Sequence, residues 1–186
     1  MIIQITKSEW DNQFKVGLWD CLDSLTEQVR YTYIAKLIDD FKPNSEILDI
    51  GCGNGTLMKH LSFANYTGMD ISDVAISKAK VLVKDLSIQN TNLHVSGIFD
   101  FKTDKKFDVI VLSEVIYYFN PHKLILLLSD LLKDDGVIII TMVKTIGNRH
   151  IWNDISFNFN VLKDFALTKH GKKDPWLFFI CKLKKK

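Results

Sequence analysis

Glu46-Ile-Leu-Asp-Ile-Gly51-Cys-Gly-Asn-Gly-Thr56 is the stretch on which the fold turns. Residues 46–50 are almost continuously apolar, as strands buried on both faces of a parallel sheet are. They run without a spacer into three alternate glycines and then a short helical stretch, 56–61. Glycine permits a sharp turn and close approach of a ligand to the backbone, and amides at the start of the following helix point outward. Thr56 stands where a dinucleotide fingerprint needs its last glycine, which disfavours NAD, and no Lys-Ser/Thr follows, which rules out a P-loop. Asp49, inside the strand and aimed at the loop, suits a ligand carrying a cationic amine better than a pyrophosphate.

The same apolar run recurs at Phe107 to Leu112 and Gly136 to Thr141, with shorter strand candidates at Tyr66 to Asp70 and Thr91 to Val95. Helical patterns lie between them. Leu22 to Phe41 places Leu25, Val29, Ile34, Leu37 and Ile38 on one face. Residues 72–86 open on a Ser72-Asp73 cap, with Val74, Ala75, Ala79, Leu82 and Val83 inward, and 121–132 open on Asn120-Pro121. Strand–helix–strand repetition predicts a doubly wound α/β sheet with right-handed crossovers. Phe159 to Leu167 and Trp176 to Leu183 break the rhythm: with no helix between them, joined by 170–175, they should form an antiparallel hairpin at the sheet edge. No linker divides the chain, so 1–186 is expected to be one domain, with 1–41 an N-terminal helical arm and 42–186 the core. The arm is rich in aromatics (Trp10, Trp19, Tyr31, Tyr33), which suits either a lid or a helix docked on the core.

Composition narrows the class. The 186 residues are 47% hydrophobic and 25% charged, which excludes a wholly disordered chain. Twenty-four basic and 22 acidic side chains give a net charge of +2, so nucleic acid is not an expected partner. Cys21, Cys52 and Cys181 are too far apart for a C-x-x-C pattern, which argues against a disulfide framework or a metal site and for a reducing compartment. The polar N-terminus and the lack of a membrane-length apolar run predict a soluble, cytoplasmic protein without membrane contact. The lysine-rich end, 182–186, reads as a solvated tail.

Three further pieces follow the glycine loop in order. Gly68-Met-Asp70-Ile-Ser72 ends the second strand with an acid about 20 residues beyond the loop, the offset at which a carboxylate accepts ribose hydroxyls. Phe107-Asp-Val-Ile-Val-Leu-Ser113-Glu114 runs into Tyr117-Tyr118-Phe119, and Leu131 to Ile140 joins a helix end, a glycine turn and a buried strand. Together these resemble the class I S-adenosylmethionine-dependent methyltransferases over about residues 34–143. Val111 to Val115 with Tyr117-Tyr118 further resembles the small-molecule N-methyltransferases typified by the nodulation enzymes. The resemblance implies a Rossmann-like seven-stranded sheet with a C-terminal antiparallel hairpin. It also implies S-adenosyl-L-methionine as cofactor and S-adenosyl-L-homocysteine as product. It places Asp49, Gly51, Cys52 and Gly53 around the methionine moiety, Asp70 on the ribose, Met69 and Ile71 beside the adenine, and the Ser113 backbone near the methionine end. Where many relatives carry an acid for the adenine amino group, this chain has Gly97. The Ile98 amide and Phe99 are then expected at the adenine, with Asp100 the nearest acid.

Methyl transfer from a sulfonium is an in-line displacement in which alignment alone can be worth about 7–11 kcal/mol. An amine acceptor needs little beyond a pocket that keeps it deprotonated, whereas a hydroxyl acceptor often needs a base. The candidate catalytic residues are Glu114, Tyr117 and Tyr118, whose rings can favour a cation by ~0.5–2 kcal/mol, and His150 as a base in the 144–153 loop, which also holds Arg149 and Trp152. His60, His94, His122 and His170 read as structural, and Cys52 as a small buried residue rather than a nucleophile. The expected function is methyl transfer to a small-molecule acceptor, nitrogen preferred. The alternatives are an RNA or protein methyltransferase, disfavoured because Ser113-Glu-Val-Ile116 replaces an Asn/Asp-Pro-Pro-Tyr segment, and a catalytically silent cofactor-binding domain.

Overall fold

The apolar runs become the inner strands of one seven-stranded sheet in a computed structural model that describes residues 5–145, 147, 149–168 and 174–184. The strands are β1 (Ser45–Ile50), β2 (Phe63–Asp70), β3 (Thr91–Val95), β4 (Phe107–Ser113), β5 (Leu132–Val143), β6 (Phe159–Leu167) and β7 (Trp176–Leu183). Their order in space is β3-β2-β1-β4-β5-β7-β6. The first five are parallel, while β7 runs antiparallel to β5 and β6 antiparallel to β7. The fold is therefore the Rossmann-like α/β sheet expected, with its C-terminal hairpin at the edge. Because β1 lies between β2 and β4, strand order reverses there, and a crevice opens beyond their C-terminal ends, where such sheets bind ligands. Gly51 and Glu114 leave the sheet at that point.

Alternation along the strands splits the core into two layers. Ile110 and Leu112 of β4, Ile138, Ile140 and Met142 of β5 and Phe179 of β7 face α4 (Pro121–Leu131) and α5 (Arg149–Asn158). Val109, Val111, Ile139, Phe178 and Ile180 face α2 (Leu25–Phe41) and Ala79 of α3 (Asp73–Asp85). The caps follow the sequence: Ser72 accepts from the Ala75 amide, and Asn120 accepts from the Lys123 amide with Pro121 in the first turn. A nine-residue helix, α1 (Lys7–Lys15), and a 3-10 turn (Asp20–Asp23) precede α2, so the expected boundary at 41/42 falls at the end of a core helix.

Several local expectations are corrected. α2 starts at Leu25, and its core stripe is Arg30, Tyr31, Ile34, Leu37 and Ile38; Leu25 is 88% exposed and Val29 43%. Residues 56–60 form a 3-10 turn rather than an α-helix, because only one turn fits between Gly55 and β2. The Asp134-Asp-Gly136 stretch is a bulge within β5, not a turn before it: Leu132 pairs with Phe107 and Val137 already with Val109. The 144–153 loop gives way to α5 at Arg149, so Arg149, His150 and Trp152 stand on a helix. Met69 is buried in the core, whereas Ile71 is exposed. The connection 170–175, with His170, falls mainly outside the described residues, as does the end of the lysine-rich tail.

Candidate ligand and active site

Asp49 sits in β1 only 2% exposed, and its carboxylate accepts from the Tyr66 hydroxyl at 2.6 Å. Burial pushes this carboxyl up to about 7; the Tyr66 hydroxyl opposes the shift, Asp70 adds to it and Arg30 opposes it. The following bend is stitched to β2 by the Gly51 and Cys52 amides, which both donate to the Met69 carbonyl at 2.8 and 3.0 Å. A side chain at 51 would overlap Val115, and Gly53 has φ of +56°, so both positions demand glycine. Cys52 is buried beneath the bend, and burial pushes its thiol well above the usual value, as a small packed residue rather than a nucleophile.

Asp70 ends β2 facing this bend. One carboxylate oxygen accepts from the Gly53 amide at 3.0 Å and the other from the Ser72 amide at 2.9 Å. A carboxylate oxygen has two acceptor positions, so each keeps one free of these amides for a ligand hydroxyl. Burial raises the Asp70 pKa, against the pull of the Ser72, Gly53 and Ile71 amides.

Across the crevice, β4 delivers Ser113 and then Glu114, which adopts φ of +60°, an uncommon conformation for a side-chain-bearing residue. The Glu114 carboxylate accepts from the Tyr117 hydroxyl at 2.7 Å and the Val143 amide at 3.1 Å. Burial and the adjacent Glu114 both push the Tyr117 hydroxyl pKa upward, so it remains a donor. Arg30 of α2, 3% exposed, completes this side: its guanidinium donates to the Ser113 hydroxyl and, at 2.9 Å, to Glu27, and lies over the rings of Tyr31 and Trp176 at 4.6 and 5.6 Å. Arg30 is not among the residues expected at the site. The clue was present, since Arg30 is one turn before Ile34 and Leu37-Ile38 on the same helical face, a cation in a core stripe.

The arm covers the bend. Asp11 accepts from the Ser72 hydroxyl at 2.7 Å, Lys78 donates to the Phe14 carbonyl at 2.9 Å, and Asp23 accepts from Thr56 at 3.1 Å. Trp10 packs at a tilt against Trp19 at 5.6 Å and meets Tyr118 edge-on at 5.4 Å. A Cβ at Gly53 would lie 3.5 Å from Phe14 and 3.8 Å from Leu22, leaving no room for another layer of atoms on that side. The cradle is thus closed over Gly53 by the arm's apolar side chains, which find their burial there, and a ligand on Gly53 requires the arm to shift.

The remaining expected residues divide. Phe99 is partly exposed and packs edge-on against Phe119 at 6.1 Å, while Ile98 is buried. The Asp100 carboxylate lies 3.2 Å from where a Cβ at Gly97 would stand, so it occupies the side-chain space that position lacks. His150 is exposed on α5 and shares with Tyr117 the lining of a cavity between α5 and the start of α4. Among the described residues no group of three or more His, Cys, Asp or Glu could hold a metal ion, and no helix is long and apolar enough to cross a membrane.

The sequence model of a family described as a methyltransferase domain matches residues 41–176. A ubiquinone biosynthesis O-methyltransferase of Rickettsia canadensis (strain McKiel) is 26% identical over 151 residues, 80% of this chain and 63% of that protein. A ribosomal protein L11 methyltransferase of Thermosipho africanus (strain TCF52B) is 28% identical over 176 residues, 91% of this chain and 58% of that protein. The chain thus spans about six-tenths of the length of these curated relatives. The crystal structure of the N-methyltransferase NodS from Bradyrhizobium japonicum WM9 with S-adenosyl-l-homocysteine superposes with a TM-score of 0.77. It covers 95% of this chain and 99% of that one at 19% identity, a likeness of fold.

Proposed function

The chain belongs to the methyltransferase-domain family, and from that premise we propose that it binds S-adenosylmethionine at the β1–β2–β4 crevice and methylates a small-molecule acceptor, nitrogen preferred. The observation that carries this reading is the convergence of two carboxylates, the buried Asp49 and the half-buried Asp70, on the glycine bend with the buried Arg30 cation opposite. An amino acid joined to a ribonucleoside needs this set. Asp70 accepts the ribose hydroxyls through its free acceptor positions, Asp49 favours the ammonium group, and Arg30 favours the carboxylate. Ile71 and Phe99 offer exposed apolar surface for the adenine, and the Ile98 amide and Asp100 are its polar partners. The arm, residues 7–23, acts as the lid over Gly53.

When bound, S-adenosylmethionine supplies a methyl carbon on a sulfonium: the acceptor lone pair forms the new bond, the carbon–sulfur pair returns to sulfur, and the acceptor loses a proton. Glu114 is the residue placed to take that proton. Tyr117 and the Val143 amide hold its carboxylate in one orientation, and its backbone conformation turns it away from the strand. Tyr118, held against Trp10, offers a ring face to positive charge. His150 stands at the acceptor side, not at the cofactor.

Calorimetric titration with S-adenosylhomocysteine tests the binding half. Asp70→Ala is expected to weaken affinity by ~1–3 kcal/mol, since the ribose hydroxyls lose a charged acceptor; unchanged affinity removes the ribose assignment. Release of S-adenosylhomocysteine from S-adenosylmethionine with a panel of small amines and phenols tests the chemistry. Turnover only with RNA or protein would reject the small-molecule reading. A second reading, a catalytically silent cofactor-binding domain, is supported by the Phe14 and Leu22 cover on Gly53, and binding without turnover across all three acceptor classes would establish it.

A further inference from the structure

The cavity between α5 and the start of α4 has a volume of about 130 Å³. Its walls are apolar, chiefly Ile116, Phe119, Leu124, Ile155 and Phe159. Besides the Tyr117 hydroxyl, its polar lining residues come from one element only: His150 and Asp154, four residues apart and hence on one face of α5. One wall is the Tyr117 ring, whose hydroxyl reaches Glu114 at the end of β4. The cavity thus adjoins the place where the proton acceptor of the proposed reaction stands.

Size and lining limit what it can hold. An apolar protein cavity of about 150 Å³ accommodates benzene, so this one matches a single six-membered ring and is too small for a fused bicycle or an acyl chain. Asp154 in its lining, with Glu114 hydrogen-bonded to the Tyr117 hydroxyl, opposes an anionic substituent and favours an amine. We propose that this cavity receives the ring of the methyl acceptor, a single-ring amine, with Asp154 selecting its positive or hydrogen-bond-donating group. This assignment rests on the methyl-transfer reading for its purpose, though not for the ligand class.

Ligand-observed NMR with benzylamine, benzyl alcohol, phenylacetate and 1-naphthylmethylamine tests it on the full chain, with S-adenosylhomocysteine affinity measured on the same samples. Benzylamine and benzyl alcohol are expected to bind, and phenylacetate and the naphthyl amine to fail. Asp154→Asn should weaken benzylamine about tenfold or more and leave benzyl alcohol unchanged. Ile155→Phe should abolish binding of both while the unfolding midpoint and S-adenosylhomocysteine affinity stay close to those of the parent. If that variant does not fold, Ile151→Phe at the rim serves the same purpose. Absence of benzylamine binding, equal binding of phenylacetate, or binding indifferent to the filling variants overturns the proposal. S-adenosylhomocysteine bound with no ring bound rejects the cavity assignment alone; ring binding without S-adenosylhomocysteine binding supports the ligand class and rejects the methyl-transfer reading.

Discussion

Two N-terminal helices flank the crevice and are held in opposite ways. α2 presses Ile34, Leu37 and Ile38 into the layer behind β1 and β4, all fully or nearly fully buried. α1 buries a single side chain, Phe14, sets the Trp10 ring against Tyr118, and is otherwise fastened by polar contacts at its rim: Asp11 to Ser72 and Val74, Lys78 to the Phe14 carbonyl, and Asp23 of the next turn to Thr56 and Lys59. Apolar burial scales with area and lasts as long as the fold does, whereas exposed ion pairs contribute little each. The chain has therefore made one helix part of its core and left the other detachable, and it is the detachable one that covers Gly53.

The sharpest break of that contrast is Ile38→Ala, which should cost ~2–5 kcal/mol of global stability through a cavity in the α2 layer, read as a lowered urea midpoint. Phe14→Ala should leave the core midpoint within about 1 kcal/mol, as a change at a locally opening segment does, yet expose residues 7–23 to limited proteolysis. If both variants shift the midpoint equally, the arm is core after all. Smaller, and of opposite sign in the two regions, are the pH effects of two carboxylates. Lys7 first, and then Ser72, hold Asp11 down to about 2 from the usual 3.8. Its contribution to arm docking is thus present above 3.8 and lost as pH falls toward 2, visible in Trp10 and Trp19 fluorescence and absent in Asp11→Asn. Burial holds Asp49 up to about 7. Its contribution is complete below 3.8 and declines as pH rises through 7, so Asp49→Asn should flatten the fall in stability between pH 4 and 7.

What the sequence disclosed, it disclosed through periodicity. β6 and β7 are found at their observed bounds because Phe159 to Leu167 and Trp176 to Leu183 carry strand residues with no helical spacing between. The glycine bend, Asp49 and Asp70 are legible because backbone conformation and an acid at a strand end restrict residue type locally. Arg30 was not, since its burial depends on Ser113 and Trp176, distant in sequence. Asp134-Asp-Gly136 reads as a turn locally, and only pairing with β4 makes it a bulge. α5 is hidden because Asn153 and Asn158 carry turn chemistry, while Ile151, Trp152 and Ile155 give too short an apolar pattern to mark the face that packs. The cover on Gly53 is a tertiary fact too: the aromatic arm suggested a lid, and nothing in its spacing told where Phe14 would rest.

Placing β7 between β5 and β6 has a consequence for synthesis. Phe178 and Ile180 complete one layer of the core and Phe179 and Cys181 the other, so neither layer closes before residue 181 has left the ribosome. Until then β5, with Ile138 to Met142, has an unpaired edge, the kind of surface that recruits a stranger's strand. The growing chain must be shielded or quick at that moment, and the last eight strand residues act as the latch that ends its exposure.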